Sequence, residues 1–67
     1  MVTITLNGKA QEVPEGLTLP GLLAHLELEG MPLVVEHNRT ALLKSEWPTT
    51  NVQDGDEIEF IRVVAGG

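Results

Sequence analysis

The sequence predicts an α+β fold, a mixed sheet of four to five strands packed against one main helix, in a single domain spanning residues 1–67. Three observations carry that expectation. Two alternating segments flank Asn7-Gly8, a leucine stripe at helical spacing follows, and the chain closes on another alternating segment.

Val2-Thr3-Ile4-Thr5-Leu6 alternates apolar and polar residues with β-branched side chains, the pattern of a half-buried strand. Asn7-Gly8 then supplies the residues that a type I′ turn needs, because both central positions take positive φ. A two-residue loop pairs Leu6 with Lys9 and Val2 with Val13, which puts Val13 on the core face. Pro14-Glu15-Gly16 ends the hairpin.

Thr18 is the expected N-cap, and Pro20 is tolerated in a first turn whose N–H groups have no helical partner. Leu19, Leu22, Leu23 and Leu26 recur on one helical face. Gly30 is placed to stop the helix, with Pro32 just beyond. Pro20-Gly21 are weak helix formers, expected to shorten the first turn. His25 lies off the stripe and reads as a solvated residue.

Leu33 to His37 reads as a third strand, Asn38-Arg39 as a turn and Thr40 to Leu43 as a short returning segment. Ser45 is expected to cap a single turn through Trp47, which Pro48 closes. Trp47, the only tryptophan, reads as a packing anchor. His37 lacks a ligand-spaced carboxylate or histidine, so it reads as structural or solvated. Asp54-Gly55-Asp56 is a turn and Glu57 to Val64 the last strand. Ile58 and Phe60 share the core face, which Val64 continues past Arg62. Ile61 and Val63 point to the open face, either as ordinary exposed residues or as an apolar patch for a partner.

Composition narrows the function. A chain of 67 residues buries only about 60% of its unfolded surface and leaves little room for a pocket. Without cysteine there is no disulfide, thiolate metal site or cysteine nucleophile, which fits a cytoplasmic location. No signal peptide and no apolar run near 18 residues is read, so neither secretion nor membrane insertion is expected. Ten acidic against four basic residues give a net charge of −6, which argues against nucleic-acid binding and allows docking on basic partner surfaces.

No G-x-S-x-G, H-E-x-x-H or Walker-type motif is present, and no catalytic residue or metal ligand is assigned. Asp54, Asp56, Glu57 and Glu59 read as a solvated acidic ridge. What remains is the end, Val63-Val64-Ala65-Gly66-Gly67. A Gly-Gly end is narrow and flexible, able to thread a tight channel of another protein. A carboxylate presented there can attack the α-phosphate of ATP to give an acyl-adenylate open to sulfur or nitrogen nucleophiles.

The sequence resembles the ThiS family of sulfur carriers in thiamin biosynthesis across essentially its whole length. The resemblance rests on the Asn7-turned hairpin, the leucine helix and Ser45-Glu46-Trp47. Above all it rests on Val52-Gln53-Asp54-Gly55-Asp56-Glu57-Ile58 leading into Val64-Ala65-Gly66-Gly67. It implies a ubiquitin-like β-grasp fold with a flexible tail over residues 65–67. It also implies a carrier rather than an enzyme, with no cofactor of its own. An E1-like adenylating enzyme would use ATP and magnesium to adenylate Gly67. Sulfur from a donor such as a cysteine desulfurase would convert the adenylate to a thiocarboxylate, and thiazole synthase would receive that sulfur. Gly66, Ala65 and Val64 would occupy the partner channels. The small subunit of molybdopterin synthase, a ubiquitin-like protein modifier and a non-covalent binding module are the competing readings.

Overall fold

In the computed structural model, which describes residues 1–64, the hairpin forms in the register its turn dictates. Strands β1 (Val2–Leu6) and β2 (Lys9–Val13) pair antiparallel, with Leu6 opposite Lys9 and Val2 opposite Val13. Asn7 and Gly8 both take positive φ, 48° and 82°. Ile4 and Val13 are buried as the alternation requires.

Helix α1 (Leu19–His25) starts where expected: Thr18 is extended and its Oγ1 accepts the Gly21 N–H at 3.4 Å. Pro20 and Gly21 do not shorten this turn; the other end is short instead. The helix stops at His25, well before Gly30, because Glu27 takes a left-handed φ of 61°. The Leu28 N–H reaches the Leu23 carbonyl at 2.8 Å and the Glu27 N–H reaches Ala24 at 3.1 Å. Those bonds form a Schellman end with glutamate where glycine is usual. Leu28, carried past the end, packs back on the core and contributes what the left-handed residue loses.

Strand β3 (Leu33–His37) turns through Asn38 and Arg39, both at positive φ, into the short β4 (Thr40–Leu42). A 3-10 helix (Lys44–Thr49) follows, but Ser45 does not cap it. Leu43 occupies the cap position, and the Glu46 carboxylate reaches back to the Leu43 N–H at 2.8 Å. Pro48 lies inside this helix rather than closing it. Trp47 is buried in the core, with its indole N–H lacking a hydrogen-bond partner among the described residues.

Strand β5 (Glu57–Arg62) completes a five-stranded sheet ordered β2-β1-β5-β3-β4, parallel to β1 and antiparallel to β3. Leu19, Leu22 and Leu23 of α1 meet Ile4, Val13, Val35, Trp47, Val52 and Ile58 in one core. The other sheet face is left open, as expected when one helix covers a mixed sheet. This is the β-grasp order. No helix among the described residues is long and apolar enough to cross a membrane.

Candidate functional site at the end of the last strand

The strand leading to the tail is held firmly at its start. The Asp54-Gly55-Asp56 turn places Gly55 at φ 85°, and Gly55 N–H bonds Thr3 C=O at 2.8 Å. Asp54 Oδ1 accepts the Thr3 N–H, also at 2.8 Å, locking the turn to β1. Asp56 is not part of a solvated ridge: it is only 7% exposed. Its Oδ2 accepts the Gln53 N–H at 2.9 Å and His37 Nε2 at 2.8 Å, while Oδ1 accepts Asn38 Nδ2 at 3.2 Å. A carboxylate can only accept, so Nε2 is the protonated nitrogen of His37 in this contact. Burial pushes the Asp56 carboxyl up, but the Gln53, His37 and Asn38 hydrogen bonds and the His37 charge together hold it below the usual carboxylate range. His37 is therefore structural, and its partner lies across the fold rather than nearby in sequence.

Two asparagines then set the course of β5. Asn38 Oδ1 accepts the Glu57 N–H at 2.9 Å, and Asn7 Oδ1 accepts the Phe60 N–H at 2.8 Å. Each sits at positive φ in a hairpin turn, a conformation asparagine tolerates, and uses its side chain to continue a ladder past the end of its own strand. The signal in the sequence was two Asn-containing turns; which strand they would serve depended on the topology.

Beyond Phe60 the packing thins. Ile58 is buried and Phe60 half-buried, but Val64 is 80% exposed, so the core face does not continue past Arg62 as expected. On the open face Ile61 and Val63 are 49% and 48% exposed, and the register sets Ile61 opposite Val34, itself 42% exposed. Val34 was missed in the sequence, although it is the open-face neighbour of the buried Val35 by simple alternation. Next to this apolar strip, Glu36 stands directly opposite Glu59. A hollow there is lined by Glu36, Arg39, Glu57 and Glu59. Like charges in direct cross-strand pairing are destabilising, and Arg39, 4.0 Å from Glu57 and largely exposed, offsets them weakly.

The structure thus brings Ile61, Val63 and Val64 to one end of the sheet. Ala65, Gly66 and Gly67, the expected channel residues and modification site, lie outside the described residues. Among the described residues no group of histidine, aspartate and glutamate could hold a metal ion. His25 is exposed on the helix.

Comparison with known proteins places this arrangement. The ThiS family model matches residues 4–67. The chain is 31% identical over 64 residues to the sulfur carrier protein ThiS of Escherichia coli K12, covering 96% of this chain and 97% of that one. It is also 28% identical over 64 residues to a thiazole synthase of Paramagnetospirillum magneticum, spanning 20% of that protein's length. The crystal structure of a thiamine biosynthesis protein (ThiS) from Geobacter metallireducens superposes with a TM-score of 0.86 at 33% identity, covering 98% of this chain and all of the other. That likeness makes the five-stranded sheet and its helix a ubiquitin-like β-grasp. On the model match over residues 4–67 and the relatives matched over nearly their full length, the chain belongs to the ThiS family.

Proposed function

We propose that the chain is a sulfur carrier for the thiazole moiety of thiamin, with the Gly67 carboxylate as the group that is activated and loaded. The observation that carries this reading is where β5 delivers the tail. The strand is anchored on both sides up to Phe60, and the chain is exposed at Val64, the last described residue. Family membership and full-length similarity to a sulfur carrier support it.

Activation of the carboxylate falls to a partner. An E1-like adenylating enzyme binds ATP and magnesium. The Gly67 carboxylate oxygen attacks the α-phosphorus, pyrophosphate leaves, and an acyl-adenylate forms. The terminal sulfur of a persulfide on a donor such as a cysteine desulfurase then attacks the carbonyl carbon and expels AMP, leaving an acyl disulfide. A second partner thiol attacks the donor-side sulfur, forms a disulfide with it and releases the thiocarboxylate. The chain contributes presentation, not catalysis: Val64, Ala65 and Gly66 occupy the partner channel, and glycine keeps it narrow. Thiazole synthase as the acceptor is supported by the thiazole synthase that contains a segment similar to this chain.

Docking is assigned to the open face. Ile61, Val63 and Val34 form an apolar strip to be covered by the partner, and the opposed Glu36 and Glu59 favour a partner with basic residues beside its apolar contact. The test is ATP–pyrophosphate exchange by the adenylating enzyme in the presence of the chain. Exchange is expected with the intact chain and absent when Gly67 is deleted or one residue is appended. Equal exchange with the shortened chain would refute the assignment.

A further inference from the structure

The hydrogen-bond parity of β5 identifies a second binding element, one made of backbone. Odd-numbered residues face β3: the Asn38 N–H bonds Glu57 C=O at 2.7 Å and the Val63 N–H bonds Pro32 C=O at 2.8 Å. Even-numbered residues face β1: Thr5 N–H bonds Asp56 C=O at 2.9 Å, Asn7 N–H bonds Ile58 C=O at 3.0 Å, and Phe60 N–H bonds the Asn7 side chain. At Asn7 the chain turns into the hairpin and leaves the sheet. The next even-side groups, the Phe60 carbonyl and the N–H and carbonyl of Arg62, face a side with no strand, and no described residue bonds them. Here a central strand of the sheet becomes an edge.

We infer that this edge of β5 is a strand-addition site, and that its occupant is an extended segment of the adenylating enzyme at the mouth of the channel that receives the tail. The inference rests on the reading of Gly67 given above. An extended chain advances about 3.3–3.6 Å per residue, so the stretch from Val64 to Gly67 reaches only about 10 Å. A nucleotide site buried to that depth draws the partner's surface up to Arg62. Covering the Arg62 N–H and carbonyl without pairing them would forfeit their bonds to water, so the partner must supply main-chain partners. Ile61, Val63 and Val64 fit the role: exposed or half-exposed β-branched residues favour the extended backbone an added strand needs. The charged Arg62 on the edge deters pairing with random strands.

The outer edge of β2 supplies an internal control. Since Leu6 and Lys9 close the two-residue turn, Ala10 and Glu12 point their backbone outward, on the side of β2 away from β1 and β5. Amide hydrogen exchange is to be followed by NMR on the free chain and on the chain saturated with its adenylating enzyme and a non-hydrolysable ATP analogue. The Arg62 amide is expected to slow by about a hundredfold or more on binding, while Ala10 and Glu12 keep their free rates. A second arm compares Arg62→Pro with Arg62→Ala, which lose the same side chain but differ in the N–H. The proline variant is expected to bind about tenfold more weakly than the alanine one, the worth of one lost main-chain hydrogen bond. An Arg62 amide that exchanges as fast in an adenylation-competent complex as in the free chain, or equal affinities of the two variants, would overturn strand addition alone. Failure of the unmodified chain to be adenylated would sink the Gly67 reading and this inference with it.

Discussion

The two ends of β5 differ more than any other neighbouring regions of the molecule. Its start is paired on both sides, buried at Ile58 and anchored through Asp56 to His37, Asn38 and the Gln53 backbone. Its end is paired on one side only and carries exposed branched residues. A carrier needs both conditions in one strand. A tail on a loose base would lose orientation on every encounter, and a tail packed on its own core could not enter another protein. Mutations should therefore separate stability from partner binding along only a few residues.

The largest loss of stability is expected at the anchored end. Ile58→Ala empties a fully buried position and should cost about 2–5 kcal/mol, most of what a domain this small has; denaturant unfolding measures it. Asp56→Ala is next, at about 2–4 kcal/mol, because it orphans the buried groups that the carboxylate now satisfies. Its pH signature has a definite sign. The folded pKa lies below the ordinary 3.8, so the contribution of Asp56 is fully present above that value and is lost as pH falls through the folded pKa. Thermal unfolding followed from pH 6 downward should therefore fall more steeply in the wild type than in Asp56→Asn.

Asn7→Gly probes the boundary between the two ends. Glycine keeps the positive φ of the turn but removes the acceptor for Phe60, so about 0.5–1.5 kcal/mol should be lost, with faster exchange of the Phe60 amide. At the exposed end Ile61→Ser should change stability by less than about 0.5 kcal/mol while raising the KM for adenylation of the chain. A large stability loss at Ile61, or none at Ile58, would erase the contrast between the ends.

Local patterns made much of the fold legible in advance. The alternation in β1 and β5, the Asn7-Gly8 turn, the Thr18 cap and the leucine face all depend on residues near one another in sequence. What escaped was decided at a distance or by residues without a local signature. Glu27 ends the helix in a conformation that glutamate does not advertise, stabilised by Leu28 packing on the core. Asp54 and Asp56 look alike in a turn, yet only Asp56 turns inward, because β3 brings His37 and Asn38 to it. Leu43 and Glu46 took the capping role expected of Ser45 because the helix began earlier, at Lys44. For the site, alternation alone placed Ile61 and Val63 on the open face. Val34 and the Glu36–Glu59 opposition required the β3–β5 register.

Whether Gly67 is loaded with sulfur is read by intact-mass spectrometry. The chain is incubated with its adenylating enzyme, magnesium, ATP and a sulfur donor, in parallel with a chain lacking Gly67. An oxygen-to-sulfur mass increase is expected in the intact chain, mapped to Gly67 by fragmentation, and none in the shortened one. An adenylated chain that never gains sulfur, or gains it without Gly67, would contradict loading at Gly67.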